Sequence, residues 1–304
     1  MPLVTDPAAF ARAWQALPAD DWGAPCARAA LLMAPEGLSS TAVTCADNRY
    51  MVPERSIDGE RAHRQHRDLA RALASERPTW VVPGDPATPD ATFLNNAFAS
   101  APGRLLLGAM RYPERQRETA RADVKAFFDQ VLGCTVVDLA GAGVAELTGS
   151  LVIDRRRGVG LCGLGERCDL AGARAMHEAF GLRLSFAFEL APGEYHANVV
   201  LSVLAGRTLV LCRDGLADPD AAQALADAYV GQCIELSAAE KNAFAGNCTA
   251  LREDSVWMSA SAERALEPAT REAFARLGWR VRAVELDEIE RAGGSLRCCV
   301  AELF

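Results

Sequence analysis

The 304-residue sequence predicts an α/β protein built from one repeated unit, arranged as a ring or array. Short apolar runs rich in leucine and valine alternate with amphipathic stretches of helical period, which is the first sign. The second is the order hairpin, helix, strand, which recurs at roughly 50 to 70 residues and makes each unit complete its neighbour's core. No linker-like stretch divides the chain, which is the third. In such an arrangement the hairpin mouths meet at one centre, and residues at the starts of hairpins converge there.

In chain order, residues 6–17 place Phe10, Trp14 and Leu17 at helical spacing. We read residues 1–27 as a peripheral N-terminal arm or helix and 28–304 as a single domain. Residues 30–33 predict a strand and 60–75 a charged helix carrying His63 and His66 three apart. A solvated face is the better reading of that pair, because no third metal ligand is near in sequence. A strand is predicted at 79–82, another at 104–110, a helix at 114–131 and a strand at 134–139. Residues 145–162 predict a hairpin turning at 155–158, followed by a helix at 169–180 and a strand at 182–188. The pattern repeats with a hairpin at 195–212, a helix at 219–229 and a strand at 233–236. A last hairpin turns at Glu253 and Asp254, before a helix at 262–277, a strand at 280–284, a short helix at 286–290 and a closing strand.

Half the residues are hydrophobic, yet mean hydropathy is only +0.02, as in a globular soluble chain. No run is long enough to span a bilayer. The start, MPLVTDPAAF, lacks the basic flank and apolar region of a signal peptide, so a cytoplasmic location is expected. The formal charge of −8 argues against nucleic acid, whose phosphates need a basic face, and permits a cationic substrate. Lys125 and Lys241 are the only lysines among many arginines, which with abundant alanine suggests a GC-rich bacterial genome. Ten cysteines without a C-x-x-C pair point to reduced thiols rather than a zinc site, and no cofactor or metal is expected.

The stretch GGSLRCCVAELF, residues 293–304, is where we expect chemistry. Two glycines and a serine make a flexible turn whose amides can approach a reacting atom with no Cβ in the way. Cys298, beside Arg297, is favoured as a thiolate by the nearby charge and the turn amides. Cys299 competes with it. Strand alternation turns Cys299 to the opposite face, and a register shift of one residue would exchange the two. In AGNCTAL, Asn247 precedes Cys248, which we read as a core strand residue.

Glu146, His196 and Cys298 fall on hairpin starts or the closing turn, in that order. They are accompanied by PDATFLNN, a P-x-R-x-x-E at 113–118, ELTGS, GERCD, YHANVV and GGSLRC. With these features the sequence resembles the guanidine-modifying pentein superfamily over about residues 28–304. That group includes arginine deiminase, dimethylarginine dimethylaminohydrolase, amidinotransferases and succinylarginine dihydrolase. The likeness is closest to the bacterial amidinotransferase-like branch with paired asparagines. It implies a five-bladed, pseudo-symmetric α/β-propeller with the active site on its axis.

A guanidinium carbon is a poor electrophile because its charge is delocalised. A thiolate must attack it in a site that fixes the plane and neutralises the cation. The resemblance implies that Cys298 attacks to form a thiouronium adduct. It makes His196 the group that protonates the leaving amine and then takes a proton from water, and Glu146 the group that holds His196 or the guanidinium. Where deiminases usually place an acid, this chain has Asn95 and Asn96, and an amide, which both donates and accepts, can hold guanidine and urea alike. In pentein dihydrolases an asparagine there accompanies two successive hydrolyses. Arg115 and Arg167 resemble the arginines that grip a substrate α-carboxylate, and Asp90 the acid near the guanidinium. Asn198 stands where several relatives have aspartate, and Asn48 is a further substrate contact.

The expected function is therefore hydrolysis of the guanidine of arginine or a derivative, once or twice. Single deimination, dimethylarginine hydrolysis and amidino transfer remain as alternatives. A pentein ring can also serve as a non-catalytic binding module, and the retention of all three reactive residue types argues against that. The partner is a small arginine-like guanidine, with further copies of the chain as an option; neither nucleic acid nor membrane is expected.

Overall fold

The computed structural model describes residues 2–39, 47–51 and 56–304. Five sheets are formed by the described residues. In four of them an antiparallel hairpin is followed, across a helical crossover, by a strand parallel to the hairpin's second strand. These are Phe98–Ala101, Arg104–Leu107 and Thr135–Asp138; Leu151–Asp154, Val159–Leu164 and Leu184–Glu189; Leu201–Leu204, Thr208–Leu211 and Cys233–Glu235; and Thr249–Arg252, Ser255–Ser259 and Arg280–Val284. The crossover is obligatory, since parallel neighbours cannot be joined by a tight turn.

The fifth sheet follows the same scheme with strands from both ends of the described chain. Ala301–Leu303 pairs antiparallel with Ala29–Met33, which pairs in parallel with Thr79–Val82. The closing segment is thereby fixed beside the first repeat. Burial falls across this sheet: every residue of Ala29–Met33 is buried, whereas Trp80 and Val81 on the third strand are 41% and 47% exposed. The largely apolar runs at the middle strands reflect that position, because both of their faces are covered.

The N-terminal arm is not peripheral. Leu3–Val4 adds a parallel strand beside Leu184–Glu189, and the helix Pro7–Gln15 buries Phe10 completely, stacked on Phe186 at 4.5 Å. Asp6 caps that helix by accepting from the Ala9 amide.

Two predicted helices are broken. Residues 262–277 divide into Ala260–Ala265 and Pro268–Arg276. The residue before a proline is excluded from helical backbone, and Glu267 is extended at φ −69°, ψ 154°. Residues 114–131 divide into Pro113–Thr119, Ala122–Ala126 and a wide turn at Phe127–Val131. That break falls at Arg121, whose guanidinium is held by Asp123 and the Pro83 carbonyl. The predicted hairpins also begin later than expected, because a short helical turn precedes the first strand: Leu147–Ser150 and Ala197–Val200 are helical.

His66 is not on a solvated face. The helix Gly59–Ala74 turns Ala62, Gln65, His66, Leu69 and Leu73 inward, a stripe of helical period, and His66 is only 2% exposed. Among the described residues no helix is long and apolar enough to cross a membrane.

Burial pushes the His66 imidazole down to about 4, with His63 adding to the effect. The native state keeps this group neutral while the unfolded chain protonates it near pH 6.5. Its contribution is therefore complete above that value and lost as pH falls towards 4. Urea unfolding should show His66 lowering stability by about 2 kcal/mol between pH 7 and 5. That increment should vanish in His66→Gln; an unchanged pH slope in the variant would contradict the assignment.

Candidate active site

Each sheet contributes a polar residue at the entrance to the first strand of its hairpin. Asn96 ends the turn Leu94–Asn96, Glu146 precedes Leu147–Ser150, His196 precedes Ala197–Val200, Asn247 lies just before Thr249–Arg252, and Cys298 is in the turn Leu296–Cys299. Their numbers differ by 50, 50, 51 and 51. The repeat therefore delivers one reactive or polar group per unit to the same structural position.

Glu146 and His196 are fully buried and bonded to each other, with Nε2 of His196 2.9 Å from Oε2 of Glu146. Burial acts to raise the Glu146 carboxyl, but Arg167, the His196 contact and Arg115 together hold it well below the usual carboxylate range. Arg167 Nη1 is 3.3 Å and Arg115 Nη1 3.5 Å from Oε2, and the Arg111 amide donates to Oε1 at 3.3 Å. An ionised carboxylate only accepts, so it selects the tautomer of His196 with the proton on Nε2. Nδ1 is then a buried acceptor, and it has no hydrogen-bond partner among the described residues. Burial, the dominant influence, lowers the His196 pKa despite Glu146, so the ring favours its neutral form. The turn is strained at Leu147, whose φ of +30° is rare for a residue with a side chain.

Cys298 is 1% exposed, and its sulfur lies 3.2 Å from Nδ2 of Asn247 and 3.8 Å from Oδ1 of Asn198. Burial pushes its thiol up, against lowering contributions from the Ser295 backbone contact and Asn247. The thiolate is thus not favoured at rest, contrary to the sequence expectation. Arg297 explains part of that difference: its guanidinium points to Glu302 at 2.9 Å and to the Val300 carbonyl, so its charge is largely spent there. Cys299 is also buried but does not line the cavity that Cys298 lines. The two thiols part because residues 296–299 form a tight helical turn, not because of strand alternation.

A cavity of about 20 Å3 opens at Cys298. Asn96, Asp90, Arg115, Arg167 and Asn48 all line it, together with Gly293 and Gly294. The Oδ1 atom of Asn96 is buried with no hydrogen-bond partner among the described residues. Both arginines are engaged by internal acids: Arg115 makes two 2.9 Å bonds to Glu118, and Arg167 bonds Asp47 at 2.6 and 2.8 Å. Burial pushes Glu118 up to about 7 even against Arg115. Asn48 donates to the Gly293 carbonyl at 3.2 Å, where Tyr195 also donates at 2.6 Å.

Two expected substrate contacts lie elsewhere. Asn95 is fully buried, does not line the cavity, and receives Thr148 on its backbone carbonyl at 3.1 Å. Successive residues of a tight turn point apart, so only one of the paired asparagines reaches the cavity. Asn198 donates to the Thr148 carbonyl and faces the sulfur rather than the cavity. The residue the sequence reading passed over is Asn247. Its signal was the interval of 51 residues to Cys298, which places it at the one repeat position left unassigned. No group of three His, Cys, Asp or Glu among the described residues could hold a metal ion.

Over residues 34–304 the sequence matches the family model described as N,N dimethylarginine dimethylhydrolase, eukaryotic. The uncharacterized protein YkgA of Bacillus subtilis (strain 168) is 24% identical over 250 residues, covering 82% of each chain. The N-terminal domain of ArgZ, an arginine dihydrolase from the ornithine-ammonia cycle in cyanobacteria, is similar in structure with a TM-score of 0.79 at 21% identity; the match covers 90% of this chain and 97% of that one. A dimethylarginine dimethylaminohydrolase, solved as an adduct with S-methyl-L-thiocitrulline, gives 0.69 at 21% identity, covering 91% and 99%. These structural likenesses establish a shared α/β fold of several sheets.

Gly149 is where the site tolerates no side chain: a Cβ there would lie 2.4 Å from Oδ1 of Asn96 and 2.7 Å from Cε1 of His196. Gly149→Ala should cost about 1–3 kcal/mol of stability by denaturant titration, through overpacking. It should also shift the His196 Cε1–H resonance. An unperturbed resonance would show that the ring does not rest against this glycine.

Proposed function

The chain belongs to the N,N dimethylarginine dimethylhydrolase family, and from that membership we propose that it hydrolyses the guanidine group of arginine or an arginine derivative, with Cys298 as nucleophile. We further read the five sheets as the blades of a five-bladed propeller, with the entrance residues Asn96 and Cys298 in the wall of the cavity. The observation that carries the reading is the unpartnered Oδ1 of Asn96 in the wall of the cavity that Cys298 also lines. A buried acceptor without a donor calls for a ligand bearing N–H groups, and Asp90 lies in the same wall.

Burial disfavours both the Cys298 thiolate and the His196 imidazolium, so the reaction begins with proton transfer rather than a standing ion pair. A bound guanidinium stabilises the Cys298 thiolate by its charge. The thiol proton passes to the unpartnered Nδ1 of His196, a ring that does not line the resting cavity and meets the sulfur's proton once the ligand has opened it. The sulfur forms a bond to the guanidinium carbon, and the C–N bond then breaks as His196 returns the proton to the departing amine. Water adds to the thiouronium carbon, giving a proton to His196, and the C–S bond breaks to regenerate the thiol and leave a ureido product. Glu146 stays ionised throughout and supports the imidazolium. Arg115 and Arg167 hold Glu146 in place, and a substrate carboxylate approaching Arg167 competes with Asp47. The cavity has room for little more than one water, so entry of a side chain requires residues 47–51 or 292–294 to part.

Asn96 favours a double hydrolysis. An amide can turn its NH2 towards the ureido oxygen, so the ureido product can stay and be attacked in its turn, giving a second ammonia and carbon dioxide. The family match favours a second reading, in which the amine released is an alkylamine from a methylated arginine.

Purified protein should release ammonia from arginine, with two ammonias per ornithine if hydrolysis is double, or an alkylamine and citrulline from methylated arginines. Cys298→Ser should abolish either activity, and His196→Ala should lower kcat by at least about 10²-fold. Asn96→Asp should shift the product of arginine towards citrulline. Full turnover in Cys298→Ser would remove the reading.

A further inference from the structure

We propose that Asn247 is a catalytic hydrogen-bond donor to the Cys298 sulfur, a fourth member of the machinery beyond the expected cysteine, histidine and glutamate. The inference rests on Cys298 being the nucleophile and assigns what aims and activates it.

Asn247 is fully buried and makes all four hydrogen bonds open to an amide side chain. Its Oδ1 accepts the backbone N–H groups of Arg297 at 3.0 Å and Cys298 at 3.3 Å. Its Nδ2 donates to the Asn198 carbonyl at 2.9 Å and to the Cys298 sulfur at 3.2 Å. Two N–H donors on one end and a carbonyl on the other leave a single sensible orientation for the amide. The NH2 group must therefore face the sulfur.

The neighbourhood holds that amide rigidly. Ser202 Oγ lies 2.7 Å from the Gly246 carbonyl and 2.9 Å from the Cys248 carbonyl, bracketing Asn247 on both sides. Gly246 runs so close to the preceding turn that a Cβ on it would meet the Val199 carbonyl at 2.3 Å. The same side chain thus ties the turn that carries His196 to the turn that carries Cys298.

Two asparagines then divide the two states of the sulfur. In the thiol, S–H can donate towards Oδ1 of Asn198; once the proton has left, the Nδ2–H of Asn247 donates to the thiolate. A hydrogen bond to the charged form favours that form. In a site where burial opposes the thiolate, this donor recovers part of the lost reactivity without placing a cation that would repel a guanidinium.

The test is the pH dependence of Cys298 alkylation by iodoacetamide, a neutral reagent that needs no substrate recognition, with the labelled peptide identified by mass spectrometry. Asn247→Asp keeps both acceptor bonds and loses the donor to sulfur; Asn247→Ala loses everything; Asn247→Ser keeps a short donor. We expect the alkylation midpoint to rise by at least one pH unit in Asn247→Asp and clearly in Asn247→Ala, with partial recovery in Asn247→Ser. We also expect kcat for guanidine hydrolysis to fall at least 10-fold with KM little changed. Unmoved midpoints would overturn the proposal, and so would a shift confined to the aspartate variant, which would trace the effect to added charge. In the unmodified protein the Asn247 side-chain amide resonances should titrate with Cys298. Resonances that stay fixed would overturn the proposal however the variants fold. Failure of the nucleophile assignment itself would look different, as turnover persisting in Cys298→Ser.

Discussion

A carboxylate with no exposure at all stands behind this site. Moving such a group from water to the interior costs several kcal/mol unless partners compensate. Glu146 is compensated from three sides, by Arg167, Arg115 and His196, and by the Arg111 amide. Those partners come from three different stretches of chain, so the ion cluster exists only where the fold brings those stretches together. Once formed, it dictates the tautomer of His196 and commits both arginines. Removing one partner would weaken the compensation of a fully buried charge.

The Cys298 thiol obeys the opposite logic. Among the described residues the side chains that touch the Cys298 sulfur are neutral amides, and the neighbouring Arg297 turns its guanidinium to Glu302. A site for a cationic ligand gains from this, since a resident cation would repel the guanidinium as well as activate the thiol. In the proposed reaction the substrate brings the charge that the resting protein withholds. Selectivity follows, because a thiol that stays protonated until a cation binds is protected from other electrophiles.

The placement of five polar residues at intervals of 50 or 51 connects the fold to this chemistry. A hairpin entrance is the one place in each unit where a side chain is held by a rigid strand on one side yet is free of the ladder on the other. The short helical turns there, and the strained Leu147, point consecutive residues in different directions. That geometry separates Asn96 from Asn95 and Cys298 from Cys299, pairs that look equivalent in a linear reading.

Much could be read from the chain alone, and the physical reason is local. Strand runs such as 79–82 and 280–284, and the helices at 59–74 and 170–180 with their aspartate caps, follow from periodicity and capping that act over a few residues. Glu146, His196 and Cys298 could be singled out because they fall at hairpin starts or the closing turn, and all three are buried. Tertiary contacts decided the rest. Phe10 is a core residue only because Phe186 lies across from it, and His66 is buried only because the helix face packs inward. The direction of Arg297 was settled by Glu302, a residue beyond the turn. Asn247 acquired its place from a sulfur 51 residues away. Charge, spacing and residue type are written in the sequence. The balance between desolvation and neighbouring charges, which keeps Glu146 ionised and disfavours the Cys298 thiolate, depends on what surrounds each group, and only the assembled structure supplies that.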